Sequence, residues 1–370
     1  MNAISPLKIL VAPLDWGLGH TTRCVPVIEE LKRQGATVIL AGNKEQQALL
    51  APLFPNCRFL PLEGYRVRYS KSGGGFFLKM LRQAPRILAA IRRENKWLRR
   101  IVDELKIDGV ISDNRFGLYA PGLPCAFITH QLQLQTKGGR LSAVLARRMN
   151  YRYIHRFSTC WIPDFPGLAN LAGSLSHPDI MPGIVCRYIG ALSRIELTPH
   201  VEKNERKIVF LLSGPEPQRT IFEQKIISQI GKLDYHPVIV RGVPLETEMP
   251  AVKNATIFNH LSKSELSTLL QEAAFVVCRS GYSSVMDINQ IRARSILVPT
   301  PGQTEQLYLG DYLMKKGFAL MGNQEDLDLP ALINRAVQFD YDGFVNTDDS
   351  LLREAVGQFL QLCNAPVSPS

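Results

Sequence analysis

Apolar positions along this chain come in short unbroken runs separated by amphipathic stretches, and the alternation continues through both halves. In the first half, residues 9–11 are an apolar run, and "GVISD" (109–113) and "CAFITH" (125–130) are runs that end in a polar residue. Such runs predict parallel strands buried on both faces, with functional residues at their carboxyl ends. "STCWIPD" (158–164) is similar, and "FLPL" (59–62) reads as a further short strand. Residues 22–33 predict a helix and 37–40 a second strand, while 76–105 read as one or two basic helices interrupted near Pro85.

The pattern restarts after a Gly-, Pro- and Ser-rich stretch, residues 166–204, which reads as a linker or hinge. "KIVFLLSG" is a strand with a glycine turn, and "RTIFEQKIISQI" a helix. "HPVIVRG", "AFVVCRSGYSSVMDINQ" and "RSILVPTP" supply further strands, with "SKSELSTLLQEA" a capped helix. Each half is thus a run of βα units with short connections. The fold class predicted is α/β, as two facing, doubly wound, Rossmann-like domains at 1–165 and 205–349, with a C-terminal helix and tail at 350–370.

A length of 370 residues is too much for one compact core, which agrees with two domains. With 45% hydrophobic and 21% charged residues the composition is that of a soluble globular protein, and no apolar run approaches the roughly 20 residues that span a bilayer. The start "MNAISPLKIL" enters a strand without the look of a signal peptide. Seven scattered cysteines, never in a C-x-x-C pair, predict reduced thiols and no zinc site. A cytoplasmic location is expected. The net charge of +10 divides into +14 for residues 1–190 and −4 for the rest, so the first half is expected to meet something anionic.

Three glycine turns fall between a strand and a helix: "DWGLGHTT" (15–22), "SGPEPQR" (213–219) and "RSGYSSVMD" (279–287). At such turns backbone N–H groups approach an anion, and the positive end of the helix points at it. Each alone is also what a strand-to-helix turn needs for shape. Three of them suggest a phosphate-bearing ligand in the cleft. None is a Rossmann G-x-G-x-x-G, a Walker A or a G-x-S-x-G elbow, which disfavours NAD, ATP and α/β-hydrolase chemistry.

These residues resemble the family-28 group of the GT-B glycosyltransferases. "GHTTRCVPVIEELKRQGATV" is similar to the family's first turn and helix, and "CAFITHQ" to its strand ending in His-Glu-Gln. "GALSR" (190–194) resembles its Gly-x-x-x-Arg at the entrance to the second domain, and "SGYSSVMDI" its Ser-Gly-x-x-Thr-x-x-Glu donor turn. "PTPGQTEQLYLGDYLMKKG" matches its Gln-rich strand and helix. The chain departs where Asp15, Trp16 and Leu18 replace a run of glycines, and where Asp287 replaces the glutamate. Residues 60–105 have no recognisable acceptor-side counterpart, so the acceptor is not implied.

The resemblance implies that Asp287 accepts the nucleotide ribose hydroxyls, a task suited to a carboxylate. It implies that Ser280, Gly281, Ser283 and Ser284 hold the pyrophosphate, that Glu305 and Gln306 read the donor sugar, and that Arg194 pairs with phosphate at the hinge. Gly214 and Gln218 belong to the middle turn on the donor side. The bland alternatives are N-capping, a polar first helical turn and a solvated linker arginine. Gly17 and Gly19 bring the first turn close to the cleft, and His20 begins the helix there. An imidazole can accept the acceptor's proton near pH 7, donate to a phosphate, or simply cap. Asp15 and Asp113, at strand ends, are rival bases, and His130 is a weaker candidate at another strand end. The triplets "DLD" (326–328) and "DYD" (340–342) fall outside the cleft turns and read as solvated carboxylates.

The expected activity is an inverting, metal-independent hexosyltransferase of the EC 2.4.1 type, without cofactor. It uses a UDP-sugar, UDP-N-acetylglucosamine by first guess, as co-substrate in the second domain. The first domain takes an alcohol acceptor of unknown identity, with a lipid-linked one among the choices. A non-hydrolysing UDP-sugar epimerase and a non-catalytic binder of an anionic polymer are the rivals, and nucleic acid is not the expected partner. Residues 66–100 carry eleven basic residues against one acid, Glu94, interleaved with large apolar ones. One reading is an amphipathic helix with a solvated basic face. The other is that Phe76, Phe77 and their basic neighbours dock on an anionic membrane, making the protein peripheral on its inner face.

Overall fold

The structure, a computed structural model, describes residues 5–65, 76–135 and 139–365; in the helices that begin at 76 and 139, side chains are described from 85 and 142 onward. The first domain runs β1 (Lys8–Pro13), α1 (Leu18–Arg33), β2 (Thr37–Gly42), α2 (Lys44–Leu53), β3 (Arg58–Pro61), α3 (Phe76–Leu105), β4 (Gly109–Asp113), β5 (Cys125–Ile128), α4 (Gly139–Ile154), β6 (Thr159–Ile162) and β7 (Val185–Tyr188). Its strands form one parallel sheet in the order β3-β2-β1-β4-β5-β6-β7. The second domain runs β8 (Asn204–Leu211), α5 (Gln218–Ile227), β9 (His236–Val240), β10 (Thr256–Phe258), α6 (Lys263–Glu272), β11 (Ala273–Cys278), α7 (Tyr282–Ile291), β12 (Ser295–Leu297), α8 (Thr304–Lys315), β13 (Leu320–Met321) and α9 (Leu329–Gln338). Its sheet is parallel in the order β10-β9-β8-β11-β12-β13. The doubly wound pair expected from the sequence is the fold observed.

The central strands are uniformly apolar because helices cover both faces. Ile9, Leu10 and Val11 of β1 and Val276, Val277 and Cys278 of β11 have no exposed surface. Strand order reverses between β1 and β4 in the first sheet and between β8 and β11 in the second. At such a switch point the connections leave in opposite directions and open a crevice at the strands' carboxyl ends. The first turn follows β1 and Asp113 ends β4, with Pro13 and Asp113 paired in register. The middle and donor turns follow β8 and β11. The sequence motifs thus lie where an open α/β sheet binds ligands.

Strand β7 falls inside the stretch 166–204 and adds an edge to the first sheet, pairing with β6. Helix α3 is continuous, with Pro85 inside it. A last helix, α10 (Ser350–Asn364), returns to the first domain. Its Arg353 carbonyl accepts from Gln34 Nε2 at 2.9 Å, and Phe359 packs edge-on against Trp161 with ring centroids 5.7 Å apart. The domains also touch across the cleft. Ser283 Oγ donates to the Gly19 carbonyl at 2.9 Å, Tyr282 to the Pro163 carbonyl at 2.7 Å, and Lys263 pairs with Glu29 at 2.6 Å. Among the described residues no helix is long and apolar enough to cross a membrane.

Candidate functional site

Gly17 takes a positive φ of 83°, which turns the chain sharply out of β1 and starts α1 at Leu18. His20 and Arg23, three residues apart, then share one helix face. That face meets the end of β4. Asp113 has no exposed surface, and Arg23 is only 2% exposed. The guanidinium grips the carboxylate side-on: Nε donates to Oδ2 at 2.9 Å and Nη2 donates to Oδ1. His20 Nδ1 lies 3.1 Å from Asp113 Oδ2 and 2.9 Å from Arg23 Nη2. Burial alone would raise the Asp113 carboxyl, but Arg23 and His20 lower it to about 2. Burial and the Arg23 charge push His20 below its ordinary value, against the pull of Asp113. Its side chain is 17% exposed, so the ring is the part of this cluster that reaches the cleft.

His130, just past β5, extends the cluster across the cleft. Its Nδ1 is 3.3 Å from Arg23 Nη1, and its Nε2 is 2.7 Å from Glu305 Oε1 in the first turn of α8. A guanidinium can only donate, so Nδ1 accepts and the Nε2 proton goes to the carboxylate. Gln131 donates to the other Glu305 oxygen, and the His130 ring stacks on Tyr282, centroids 4.2 Å apart. Burial opposes ionisation of Glu305, but His130, His20 and Arg23 bring its carboxyl below the ordinary value.

On the donor side, Asp287 is buried and its Oδ1 accepts from Ser193 Oγ at 2.8 Å and from the Arg194 backbone N–H at 3.3 Å. Arg194 Nε stands 3.6 Å from Oδ2. Burial raises the Asp287 carboxyl, and the Arg194 charge offsets that only in part. Ser280 Oγ donates to the Gln306 carbonyl at 2.8 Å, and Gln306 Oε1 accepts the Thr300 N–H at 2.8 Å. Both thus tie the donor turn to the loop after β12. Ser283 bonds across the cleft to Gly19, and a Cβ on Gly19 would lie 2.7 Å from its Oγ. This close approach gives Gly19 its physical reason. Ser284 interacts with the Cys278 thiol. Gly214 has a φ of 103°, and Gln218, at the start of α5, accepts from Gln324 at 2.9 Å. Among the described residues, α1, α5 and α7 begin without a side-chain cap, whereas Asn43, Ser262 and Asp328 cap α2, α6 and α9. The helices that follow the three glycine turns thus start uncapped, as do α8 and α10.

Several sequence candidates lie elsewhere. Asp15 packs against Gly64 and accepts the Tyr65 N–H at 3.2 Å, facing the loop after β3. Asp328 caps α9 and Asp342 packs against Gly317. The side chains of Phe76 and Phe77 lie outside the described residues. Arg23, Gln131 and Tyr282 enter the site without having been singled out in the sequence. The available signals were the His20–Arg23 spacing and the place of Gln131 and Tyr282 inside motifs already noted.

The family model described as Glycosyltransferase family 28 C-terminal domain matches residues 197–342. Over 342 residues, 88% of each chain, the sequence is 24% identical to the UDP-N-acetylglucosamine--N-acetylmuramyl-(pentapeptide) pyrophosphoryl-undecaprenol N-acetylglucosamine transferase of Haemophilus influenzae (strain PittGG). The crystal structure of Acinetobacter baumannii MurG aligns with 96% of this chain and 100% of its own, at a TM-score of 0.56 and 14% identity. The spinosyn rhamnosyltransferase SpnG, complexed with thymidine diphosphate, aligns with 96% of each chain at a TM-score of 0.61 and 14% identity. The fold is the GT-B architecture.

Proposed function

We propose, with the family-28 character of the second domain as premise, that this protein is an inverting glycosyltransferase. It moves a sugar, N-acetylglucosamine by first assignment, from a UDP-sugar in the second domain to a hydroxyl acceptor on the first. The observation that carries this reading is the His20–Asp113 pair at one switch point, across the cleft from the Asp287-bearing turn at the other.

The acceptor oxygen attacks the anomeric carbon and forms the new C–O bond. The bond from that carbon to the diphosphate oxygen breaks, and UDP leaves with the electron pair. His20 takes the acceptor's proton on Nε2, while Asp113 holds the Nδ1–H and balances the imidazolium. Two facts favour His20 over the carboxylates. Asp113 is lowered to about 2 by its partners and is a weak base, and Asp15 is turned toward Tyr65. The uncapped start of α7 supplies N–H groups and a positive dipole end for the departing diphosphate, in the place of a metal ion. Asp287 accepts the ribose hydroxyls, and Glu305 and Gln306 meet the sugar once Glu305 leaves His130 and Gln131.

A lipid-linked acceptor at an anionic membrane, on the cytoplasmic side, fits the surface of the first domain. Arg86, Arg92, Arg93, Lys96, Arg99 and Arg100 are exposed on α3, while Ile91 and Leu98 are buried beneath them. On α4, Leu145 is 62% and Met149 55% exposed beside Arg148. Apolar side chains among basic ones suit a headgroup boundary. The test is transfer of label from radiolabelled UDP-N-acetylglucosamine to a polyprenyl-diphosphate-linked sugar in anionic liposomes, with excess EDTA. Label is expected in the lipid, with a loss of about 10²–10⁴ in His20→Asn. Absence of both transfer and UDP release in the wild-type protein overturns the reading.

A further inference from the structure

We propose that Arg23 is a positioning residue that selects which ring nitrogen of His20 carries the proton. The inference rests on the reading of His20 as the base and adds a control over it. The Nδ1 atom of His20 sits between an obligate donor, Arg23 Nη2 at 2.9 Å, and an ionised acceptor, Asp113 Oδ2 at 3.1 Å. A neutral imidazole nitrogen serves one of them at a time. If it accepts from Arg23, the proton resides on Nε2 and the ring cannot take another there. If it donates to Asp113, Nε2 is free to act as base.

The surroundings favour the first state in the arrangement seen. Arg23 is fixed at all three nitrogens, by both oxygens of Asp113 and by His130 Nδ1, and His130 is itself held by Glu305 of the second domain. Asp113 already receives two hydrogen bonds from Arg23 and gains less from a third. The titratable and charged groups facing His20 are Arg23 on its own helix, Asp113 from β4, His130 after β5 and Glu305 from α8, with the Cys24 thiol 3.8 Å from Asp113. Burial and Arg23 keep the ring neutral, so the choice lies between tautomers. Arg23 therefore holds His20 with Nε2 protonated until its own hydrogen bonds rearrange. The chain through His130 to Glu305 makes contact with the donor side the natural cause of that rearrangement.

The test is ¹⁵N NMR of the full chain labelled at histidine, with His20 assigned through His20→Asn. In the wild-type protein at neutral pH, Nε2 is expected to carry the proton and Nδ1 to give the unprotonated signal. Arg23→Lys keeps a cation beside Asp113 but loses the fork, and the proton is expected to move to Nδ1. A wild-type His20 protonated on Nδ1 overturns the proposal without need of any variant. So does an unchanged tautomer in a folded Arg23→Lys protein. The measurement needs no turnover, so it is separable from the base reading, which falls if His20→Asn retains full transferase activity.

Discussion

Asp113, at the end of β4 beside α1, and Asp287, within α7, are buried acids near the switch points of their sheets, yet their surroundings treat them in opposite ways. Asp113 has both oxygens bonded to a buried guanidinium, and its carboxyl is lowered to about 2. Asp287 receives one hydroxyl and one backbone N–H, while the Arg194 guanidinium stands at 3.6 Å, and burial raises its carboxyl. The first acid is committed to partners within the protein. The second is under-served, with acceptor capacity left for the donor hydroxyls of a ligand. On the proposed function, the contrast divides the labour of the cleft between an internal charge that fixes the base and an acceptor available to the nucleotide.

The largest effect is expected of Asp113→Asn. It leaves Arg23 buried without its counter-charge and is expected to cost about 3–5 kcal/mol in urea denaturation. A loss below about 1 kcal/mol means the pair is not the buried clamp described.

The pH dependence comes next. Asp113 is lowered in the fold, so its stabilisation is present above the ordinary carboxylate range near 4 and is lost as pH falls toward about 2. It amounts to about 2–3 kcal/mol. Asp287 is raised, so its contribution has the opposite sign: stability declines as pH rises from the ordinary range through its raised value. Denaturation curves from pH 2.5 to 7 should lose the first slope in Asp113→Asn and the second in Asp287→Asn.

Gly19→Ala sharpens the contact between the two turns. The new Cβ lies 2.7 Å from Ser283 Oγ and is expected to cost about 1–2 kcal/mol. Ser283→Gly in the same chain should return about 1 kcal/mol of that as coupling in a double-mutant cycle. Strict additivity would mean that α1 and α7 do not meet. The smallest effect is that of Asp287→Asn on stability at pH 7, expected to be neutral or favourable by at most about 1 kcal/mol, because a buried charge only partly compensated by Arg194 is removed.

Much of this arrangement was legible in the sequence because it is local. A buried strand, a glycine turn and an amphipathic helix lie within 25 residues of one another, so the turns that carry His20 and Asp287 could be read directly. Asp113 was legible as the polar end of an apolar run. Arg23 was not, because an arginine in an amphipathic helix reads as solvated, and only the packing of α1 against β4 buries it to 2% exposure. The Asp287–Ser193 bond spans 94 positions and depends on how the segment before β8 folds back on α7. Strand β7 escaped detection for a similar reason. "VCRY" has no apolar run, and its strand character comes from pairing with β6 at the sheet edge. The role of Gly19 was expected to concern a ligand, yet the closest atom to its missing side chain belongs to Ser283 of the other domain.

The assignment of the Asp287 turn to the nucleotide and of the His20–Asp113 pair to chemistry can be checked by a thermal-shift titration with UDP. A ligand that binds only the folded state at a hundredfold excess over its Kd stabilises by about 2.7 kcal/mol. UDP is predicted to raise the Tm of the wild-type protein and of His20→Asn alike, and to leave that of a folded Asp287→Ala nearly unmoved. If UDP, GDP and TDP all leave the wild-type Tm unchanged, or if Asp287→Ala responds to UDP as the wild type does, the assignment is contradicted.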